Sequence, residues 1–311
     1  MVISKKSWFT MICLACLMLV LGACSSNNSS EESSSEKKVT DAVGEMTFPA
    51  NPKKILAPNM EDYLVTLGLT PAAQWSIGTS VHTYLQDKLA DVPLISWDMP
   101  IEDVIEAEPD LIMFESEAAI QEGMYEEYTK VAPTYVFKSE DTEDWRTQLT
   151  VMGELFGKKD TAEKAIEDYE QKAEDAKAQV KEAIGDESAA IIWVTGGQFF
   201  VFEGDRYASN VLYKDLGIKM PTYISDLGES QDVWQAISLE ALADLDADHL
   251  FIAAAANEEG IETLENSSVY KSIPAVEKDQ VYFFEDSSNW TTNAKIANDV
   301  TIDLVLESIK K

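Results

Sequence analysis

Arginine is rare in this chain, and one arginine lies where a ligand could be held. Arg146 and Arg206 are the only arginines among the 24 lysine and arginine residues. Arg206 falls in the segment FFVFEGDRYASNVLYKDLG, in a loop predicted between a strand and a helix. A guanidinium presents five donors in a planar fork, which suits anionic oxygen atoms better than an ammonium does. We therefore expect Arg206 to contact a ligand; a surface ion pair is the alternative.

The tryptophans offer a second chemistry, that of flat apolar surfaces. The chain has seven tryptophans, and several lie near predicted strand ends or ahead of predicted helices: Trp97, Trp193, Trp234 and Trp290. Open parallel sheets bind ligands beyond the carboxyl ends of their strands, and aromatic walls with few polar anchors suit a bulky organic ligand. These tryptophans are candidate ligand contacts, and core packing is the alternative for each.

A repeated segment carries a pair of carboxylates. Residues 100–114, PIEDVIEAEPDLIMF, align with residues 238–252, SLEALADLDADHLFI, so that Glu102 matches Glu240. Each copy predicts a short helix with an acid in its first turn, followed by a buried strand. Because the helix dipole alone favours a glutamate there, the repeat by itself leaves the function of the pair open.

The motifs of common enzymes and metal sites are absent or incomplete in the sequence. There is no G-x-S-x-G, and the glycines of residues 153–159 have the wrong spacing for a phosphate loop. The acids of residues 244–248 resemble the start of a calcium loop, but His249 stands where glycine is required. His82 and His249 are the only histidines and lie far apart in the sequence, which disfavours a metal site built from imidazoles. An enzyme that uses a carboxylate pair and a surface adhesin stay open as other classes.

The elements that would position these residues form two similar halves. Strand-like and helix-like segments alternate in residues 39–158 and again in 186–311, a pattern typical of parallel sheet in βα units. Between them, residues 160–184 lack glycine and proline and repeat apolar residues at helical spacing, which predicts one helix of about 37 Å. We predict an α/β protein of two Rossmann-like lobes with parallel central sheets, joined by one long rigid helix over residues 159–185. A surface helix within one large domain is the alternative.

The N-terminus predicts export and a lipid anchor. Lys5 and Lys6 precede an apolar stretch too short to span a bilayer, as in an export signal. The sequence Leu-Gly-Ala-Cys that ends at Cys24 resembles the lipobox of bacterial lipoproteins, which implies a signal peptide over residues 1–23 and a lipid on Cys24. Residues 24–38 have no apolar side chain after Cys24, so we expect a flexible tether.

The net charge narrows the range of partners. The chain carries −32, and removal of Lys5 and Lys6 with the signal peptide leaves −34. Nucleic acid is excluded as a partner, because phosphate binding needs clustered cations. A strongly acidic surface keeps an exported protein soluble.

Several motifs in fixed order together resemble the iron-siderophore substrate-binding lipoproteins of ABC importers. They are the lipobox, PANPKKI from Pro49, the run from Glu102 to PDLI, the segment from Arg206 to DLG, and SLEALA-x-LDAD from Ser238. The resemblance covers about residues 39 to 309. It implies two Rossmann-like lobes joined by one long helix, no cofactor, and delivery of a ferric siderophore to a membrane permease. It also implies a lipid-anchored monomer on the extracytoplasmic face of the cell membrane, in a Gram-positive bacterium.

The same resemblance implies roles for particular residues. Glu102 and Glu240 match the pair that docks on arginines of the permease, one lobe to each permease half. Arg206 matches the position that contacts the iron-bound oxygens. Further candidates for the cleft between the lobes are aromatic or apolar: Trp97, Trp193, Trp290, Tyr84, Met60 and Trp234. Many relatives carry an arginine near the first repeat, where this chain has Ser96 and Trp97.

The scarcity of positive charge favours one class of siderophore. Ferric tris-catecholates and ferric citrate carry several negative charges, which repel a chain of −34 with a single suitable arginine. Ferric hydroxamates are neutral or cationic, so we expect a hydroxamate. Haem or a corrinoid, which related proteins carry, and a cell-surface lipoprotein enzyme are the alternatives.

Overall fold

A computed structural model of the chain describes residues 36–204, 206–228 and 234–310. The predicted signal peptide and Cys24 lie outside the described residues. Strand β1 begins at Lys37, so the last two residues of the expected tether already belong to the folded body.

The N-terminal lobe, residues 37–155, begins with an antiparallel hairpin of β1 (Lys37–Thr40) and β2 (Glu45–Phe48). Five short parallel strands follow: β3 (Ile55–Leu56), β4 (Gln74–Ser76), β5 (Leu94–Ser96), β6 (Leu111–Phe114) and β7 (Thr134–Val136). They form two sheets, β3-β6-β7 and β4-β5, and a single parallel bridge between Ile55 and Pro71 brings the segment before β4 alongside β3. The helices are α1 (Glu61–Thr66), α2 (Gln86–Leu89), α3 (Ile101–Ala107), α4 (Tyr125–Val131), α5 (Ser139–Thr142) and α6 (Trp145–Leu155).

One long helix, α7 (Lys159–Ile184), connects the two lobes and confirms the prediction from the apolar spacing. Its buried face carries the small and aromatic residues that recur at three- and four-residue steps, among them Ala162, Tyr169 and Ala173. The close packing of α6 on α7 requires glycine at position 153, because a Cβ there would lie 2.7 Å from the Cβ of Ala162. No helix in the described ranges is long and apolar enough to cross a bilayer.

The C-terminal lobe has one five-stranded sheet. Its strands are β8 (Ala189–Thr195), β9 (Gln198–Val201), β10 (Gln235–Ile237), β11 (His249–Ala254) and β12 (Val281–Phe284), in the order β10-β9-β8-β11-β12. Its helices are a π-helical turn (Asn210–Asp215), α8 (Thr222–Leu227), α9 (Glu259–Asn266), α10 (Pro274–Glu277) and α11 (Lys295–Ile309).

The sheet of the C-terminal lobe is not wholly parallel, which refines the predicted fold. Strand β9 runs antiparallel to both β8 and β10, whereas β8, β11 and β12 are parallel. The reversal is made by Gly196 and Gly197, which both have positive φ and form a two-residue hairpin loop. The Glu258 carboxylate accepts hydrogen bonds from the backbone amides of both glycines.

Buried side chains on the two faces of each sheet enter different cores. Alternate residues of β6 and β11 face one apolar cluster that runs through both lobes and α7, including Met113, Tyr169 and Phe251. The intervening residues face separate clusters within each lobe, such as Ile112 in the N-terminal lobe and Ile252 in the C-terminal lobe. The period of two along each strand therefore produces three layers of packing with a core shared by the lobes.

The repeated segments have a common structural role in their second acid. The Asp110 carboxylate accepts from the backbone amides of Lys53 (2.7 Å) and Lys54 (3.0 Å), just before β3. Asp248 accepts from the backbone amide and hydroxyl of Ser188, both at 2.9 Å, just before β8. Each acid therefore fixes the start of the first parallel strand of its lobe against the strand that follows the acid.

The two repeats differ in the helix that precedes this acid. The first copy forms α3, as predicted, whereas the second forms only a 3₁₀ turn over Ala241–Asp244. The Asp246 carboxylate in the second copy accepts from the backbone amides of Thr222 and Tyr223. These contacts to α8 hold residue 246 outside the turn, which accounts for its short length.

Candidate ligand-binding site

A cavity of about 340 Å³ lies between the two lobes. On the N-terminal side its wall contains Asn59 after β3, Glu115 after β6 and Trp145 at the start of α6. On the C-terminal side it contains Arg206 in the connection after β9 and Thr291 after β12. Its N-terminal wall lies beyond the carboxyl ends of the neighbouring parallel strands β3 and β6, where open parallel sheets bind ligands.

Arg206 lines this cavity and is held by an acid of its own lobe. Its Nη1 lies 2.7 Å from Oε1 of Glu203, whose side chain is only 4% exposed. Burial lowers the pKa of Arg206, but the hydrogen bond and the charge of Glu203 raise it further, so the guanidinium is charged at any physiological pH. Because Arg206 and Glu203 neutralise each other, the pair adds no net charge to the cavity.

Tyr207 extends the wall beside Arg206 and connects it to an aromatic cluster. Its ring stacks on Trp234 at a centroid distance of 4.5 Å, and Trp234 in turn packs on Trp193 at 4.6 Å. Tyr207 has a φ of +49°, a left-handed conformation that is costly for a bulky residue and concentrates at functional sites. Asn59, on the opposite wall, also has a positive φ of +62°.

Glu115 brings a carboxylate to the cavity from the N-terminal lobe. It directly follows the buried strand β6 and lies opposite Arg206 and Tyr207 in the cavity wall. Burial raises the pKa of Glu115 above its ordinary value. Burial is the main cause of the raised pKa values of Tyr63 and Tyr207, and the charge of Glu115 adds to both.

Hydrogen bonds between the lobes border the cavity. The Asp62 carboxylate, at 1% exposure, accepts from the backbone amides of Ile296 (3.0 Å) and Ala297 (2.9 Å) at the start of α11. The Tyr63 hydroxyl donates to the backbone oxygen of Asn293 at 3.2 Å. A carboxylate at a helix N-terminus satisfies amides that have no partner within the helix, so Asp62 attaches the last helix of the chain to the N-terminal lobe.

The structure corrects the roles expected for Trp290 and Met60, and both are fully buried. Trp290 packs on Phe284 and Phe251 at centroid distances of 4.8 and 5.7 Å. Met60 belongs to the shared core, where its sulfur lies 3.4 Å from the amide nitrogen of Gln148. Neither side chain presents a surface to a ligand, because residues distant in sequence cover it.

The other aromatic candidates lie near the cavity or on the outer surface, but not in its wall. Trp234 packs on Tyr207, and Trp193 packs on Trp234. Tyr84 lies at the contact between the lobes, where its buried hydroxyl is close to Asp62 and Thr292 without a hydrogen bond of good geometry. Trp97 follows β5 and is 58% exposed. Of the candidates chosen from the sequence for the cleft, Arg206 is the one that the structure places in the wall.

Glu102 and Glu240 both lie at the protein surface. Glu102 is in the first turn of α3, and Glu240 precedes the 3₁₀ turn of the second repeat. Neither carboxylate forms an ion pair or a hydrogen bond with any residue that the structure describes. Both are therefore available to a partner.

Several residues of the cavity wall were not chosen from the sequence. Glu115 and Asn59 are polar residues that follow buried strands, so the rule for the carboxyl ends of parallel strands could have identified them. Tyr207 adjoins Arg206 in the same loop. Trp145 gives no such signal, because it begins a helix behind the Asp144 cap and belongs to the core as well as to the wall. Among the described residues, no three side chains of His, Cys, Asp or Glu are grouped to hold a metal ion.

Two α/β lobes around one connecting helix, with a cavity between them, define a two-lobed ligand-binding protein. The family described as "Periplasmic binding protein" matches residues 56–287, and the chain belongs to that family.

The chain is also similar in sequence or structure to individual bacterial proteins. The iron(3+)-hydroxamate-binding protein YxeB of Bacillus subtilis (strain 168) is 27% identical over 277 residues, which cover 86% of this chain and 83% of YxeB. The iron(3+)-hydroxamate-binding protein FhuD of the same organism is 27% identical over 272 residues, 86% of this chain and 84% of FhuD. The structure of FeuA, the triscatecholate siderophore-binding protein of B. subtilis complexed with ferri-bacillibactin, has a TM-score of 0.73 at 21% identity and covers 88% of this chain and 98% of FeuA. At that identity the structural likeness shows the fold alone.

Proposed function

We propose that this protein binds a ferric siderophore of the hydroxamate class in the cavity between its lobes and delivers it to the permease of an ABC importer. Membership of the periplasmic binding protein family and the names of the relatives YxeB and FhuD support this function. The fold alone does not choose the ligand class, since FeuA, a triscatecholate siderophore-binding protein, has the same fold.

The charges around the cavity are the main support for a hydroxamate ligand. Arg206 is the basic residue in the described part of the wall, and Glu203 neutralises it at 2.7 Å. Glu115 adds a carboxylate, and the chain as a whole carries −32. A ferric tris-catecholate has a charge of about −3, and two like unit charges about 4 Å apart cost ~4 kcal/mol at an effective dielectric of about 20. A neutral or cationic ferric complex avoids this repulsion.

Titration of the purified protein tests the proposal. Quenching of tryptophan fluorescence is followed on addition of ferrioxamine B, ferrichrome, ferric enterobactin, ferric citrate and haem. We expect the two hydroxamates to saturate the protein at one ligand per chain, while the anionic complexes and haem do not. Tight binding of ferric enterobactin alone would overturn the ligand class, and a Soret change with haem would identify a haem carrier. Turnover of a ligand instead of saturation would indicate an enzyme.

We further propose that Glu102 and Glu240 dock on the permease and that a lipid on Cys24 holds the protein at the membrane. The support for docking is the matching place of the two acids in the repeats and their exposed carboxylates. Exposed charges steer association and set its register without adding much affinity, which suits a carrier that must dissociate after delivery. The support for the lipid is the sequence before Cys24.

A further inference from the structure

The Glu115 carboxylate, in the wall of the cavity, has no partner among the residues that the structure describes. No described side chain or backbone group donates a hydrogen bond to it or forms an ion pair with it, although the residue is half-buried. The Tyr63 hydroxyl, which shares the cavity wall, donates instead to the backbone oxygen of Asn293. Arg206, across the cavity, is held by Glu203. A carboxylate that loses water without gaining a partner is costly in free energy.

The two walls of the cavity therefore differ in charge. On the C-terminal wall, the charges of Arg206 and Glu203 cancel. On the N-terminal wall, Glu115 is the one charged side chain among the described residues. Burial raises the pKa of Glu115, which is the behaviour of an acid that lacks a nearby cation. A cation of the ligand placed in the cavity would supply that partner and form a charge-assisted hydrogen bond.

We infer that Glu115 binds an ammonium group of the ligand, so that the preferred siderophore is a cationic ferric hydroxamate with a free amine beside its chelate. This inference rests on the proposed binding of a ferric hydroxamate. Arg206 then faces the hydroxamate oxygens from the opposite wall while Glu115 receives the amine. The two walls would thereby orient an elongated ligand in one direction across the cavity.

Ferrioxamine B and its N-acetyl derivative form a matched pair of ligands for the test. Both hold iron through the same three hydroxamates, but acetylation converts the ammonium into a neutral amide. We expect the protein to bind ferrioxamine B about tenfold more tightly than the acetylated form, as one charge-assisted hydrogen bond of ~1.4 kcal/mol would give. Affinities are measured by tryptophan fluorescence at constant ionic strength.

The substitution Glu115→Gln should remove the preference by weakening ferrioxamine B alone. The control is Glu117→Gln, which neutralises an exposed acid two residues further along and outside the cavity wall; we expect it to leave both affinities within about twofold.

The results distinguish a wrong role for Glu115 from a wrong proposed function. If the wild-type protein binds both ligands equally, or if Glu115→Gln weakens both equally, the role of Glu115 is wrong while the proposed function stands. If the wild-type protein binds neither ferrioxamine, nor ferrichrome, the proposed function itself fails. The comparison of the two ligands on the wild-type protein needs no substitution, so it decides the matter even if a variant folds poorly.

Discussion

At the scale of single residues, Arg206 forms a structural ion pair and also lines the cavity. Its guanidinium is 27% exposed and packs 5.7 Å from the Tyr207 ring while it pairs with the buried Glu203. The ion pair fixes the fork towards the cavity, so less rotamer freedom is lost when a ligand binds. The same pair makes simple removal of the arginine ambiguous, because Glu203 would remain buried without that partner.

Paired variants resolve this ambiguity. We expect Arg206→Ala to weaken ferric hydroxamate binding by about 10- to 100-fold and to lower the free energy of unfolding by about 1–3 kcal/mol. The double variant Arg206→Ala with Glu203→Gln should regain stability in urea unfolding but not affinity in fluorescence titration. Lys271→Ala, which removes an exposed charge of the same lobe, is the control and should change neither. Full affinity in the double variant would show that Arg206 does not contact the ligand.

Asp248 fixes the start of strand β8 in the C-terminal lobe. Its carboxylate accepts from Ser188 and from the Lys278 ammonium at 2.7 Å. Burial raises the pKa of Asp248, but the hydrogen bonds from Lys278 and Ser188 lower it further, from an ordinary value of 3.8 to about 2. Since the folded protein holds the charged form more strongly than the unfolded chain does, this group stabilises the fold above pH 3.8, and the contribution is lost as the pH falls towards 2.

The stability of Asp248→Asn, measured at several pH values, tests whether the contribution of Asp248 is lost as the pH falls. The full shift would be worth ~2.4 kcal/mol, which solvent screening of this partly exposed group reduces to about 1 kcal/mol. We expect urea unfolding to show the wild-type protein about 1 kcal/mol more stable than Asp248→Asn at pH 6, with the difference shrinking between pH 4 and pH 2. Asp226→Asn, at an exposed position, should show no such change. A difference that is constant with pH would contradict the assignment.

At the scale of elements, Arg146 joins three helices from different parts of the chain. From α6 it pairs with Glu170 of α7 and, at 3.1 Å, with Asp215 of the π-helical turn in the other lobe. Its guanidinium also lies over the Tyr169 ring at 5.1 Å, and the Tyr169 hydroxyl donates to Asp215 at 2.6 Å. The other arginine of this chain therefore holds the lobes to the connecting helix.

Removal of Arg146 should destabilise the fold, because it leaves the buried Asp215 without its cationic partner. Because the Asp215 side chain is only 7% exposed, we expect Arg146→Ala to lower the free energy of unfolding by about 3 kcal/mol. Adding Asp215→Asn should recover at least about 1 kcal/mol, since the uncompensated charge is then gone. Lys164→Ala, which breaks an exposed pair with Asp168 on α7, is the control and should cost under about 0.5 kcal/mol. Additive losses in the double variant would contradict this coupling.

At the scale of the whole molecule, the lobes share more than a connecting helix. One apolar cluster continues through both lobes and α7, and Asp62 attaches α11 to the N-terminal lobe. Relative motion of the lobes would have to disrupt this packing. We therefore expect small closure on ligand binding, in contrast with hinged proteins whose lobes have separate cores.

In the proposed docking on a permease, both lobes must present their acids to one partner. We expect the double variant Glu102→Gln with Glu240→Gln to bind the siderophore normally and to lower iron uptake by cells about tenfold, with an intermediate effect for each single variant. The matched controls neutralise other exposed acids of the two repeats: Glu106→Gln in α3 and Asp244→Asn in the second repeat. Normal uptake in the double variant, or a loss of siderophore affinity, would contradict docking.

The sequence by itself determined the features that depend on local periodicity and order. The apolar spacing predicted α7, the alternation of elements predicted two lobes, and the repeat predicted equivalent strands at Asp110 and Asp248. These follow from the chain alone, because a helix or strand imposes its own period on the residues that it must bury.

The tertiary structure decided which of the candidate side chains face the cavity. Trp290 and Met60 are covered by residues distant in the sequence, whereas Glu115 and Arg206 from opposite lobes meet around one cavity. The hairpin at Gly196 and Gly197 also reverses β9 within a sheet that was expected to be parallel. Burial depends on what the rest of the chain packs against a residue, and a pattern of residue types along one segment carries no record of that.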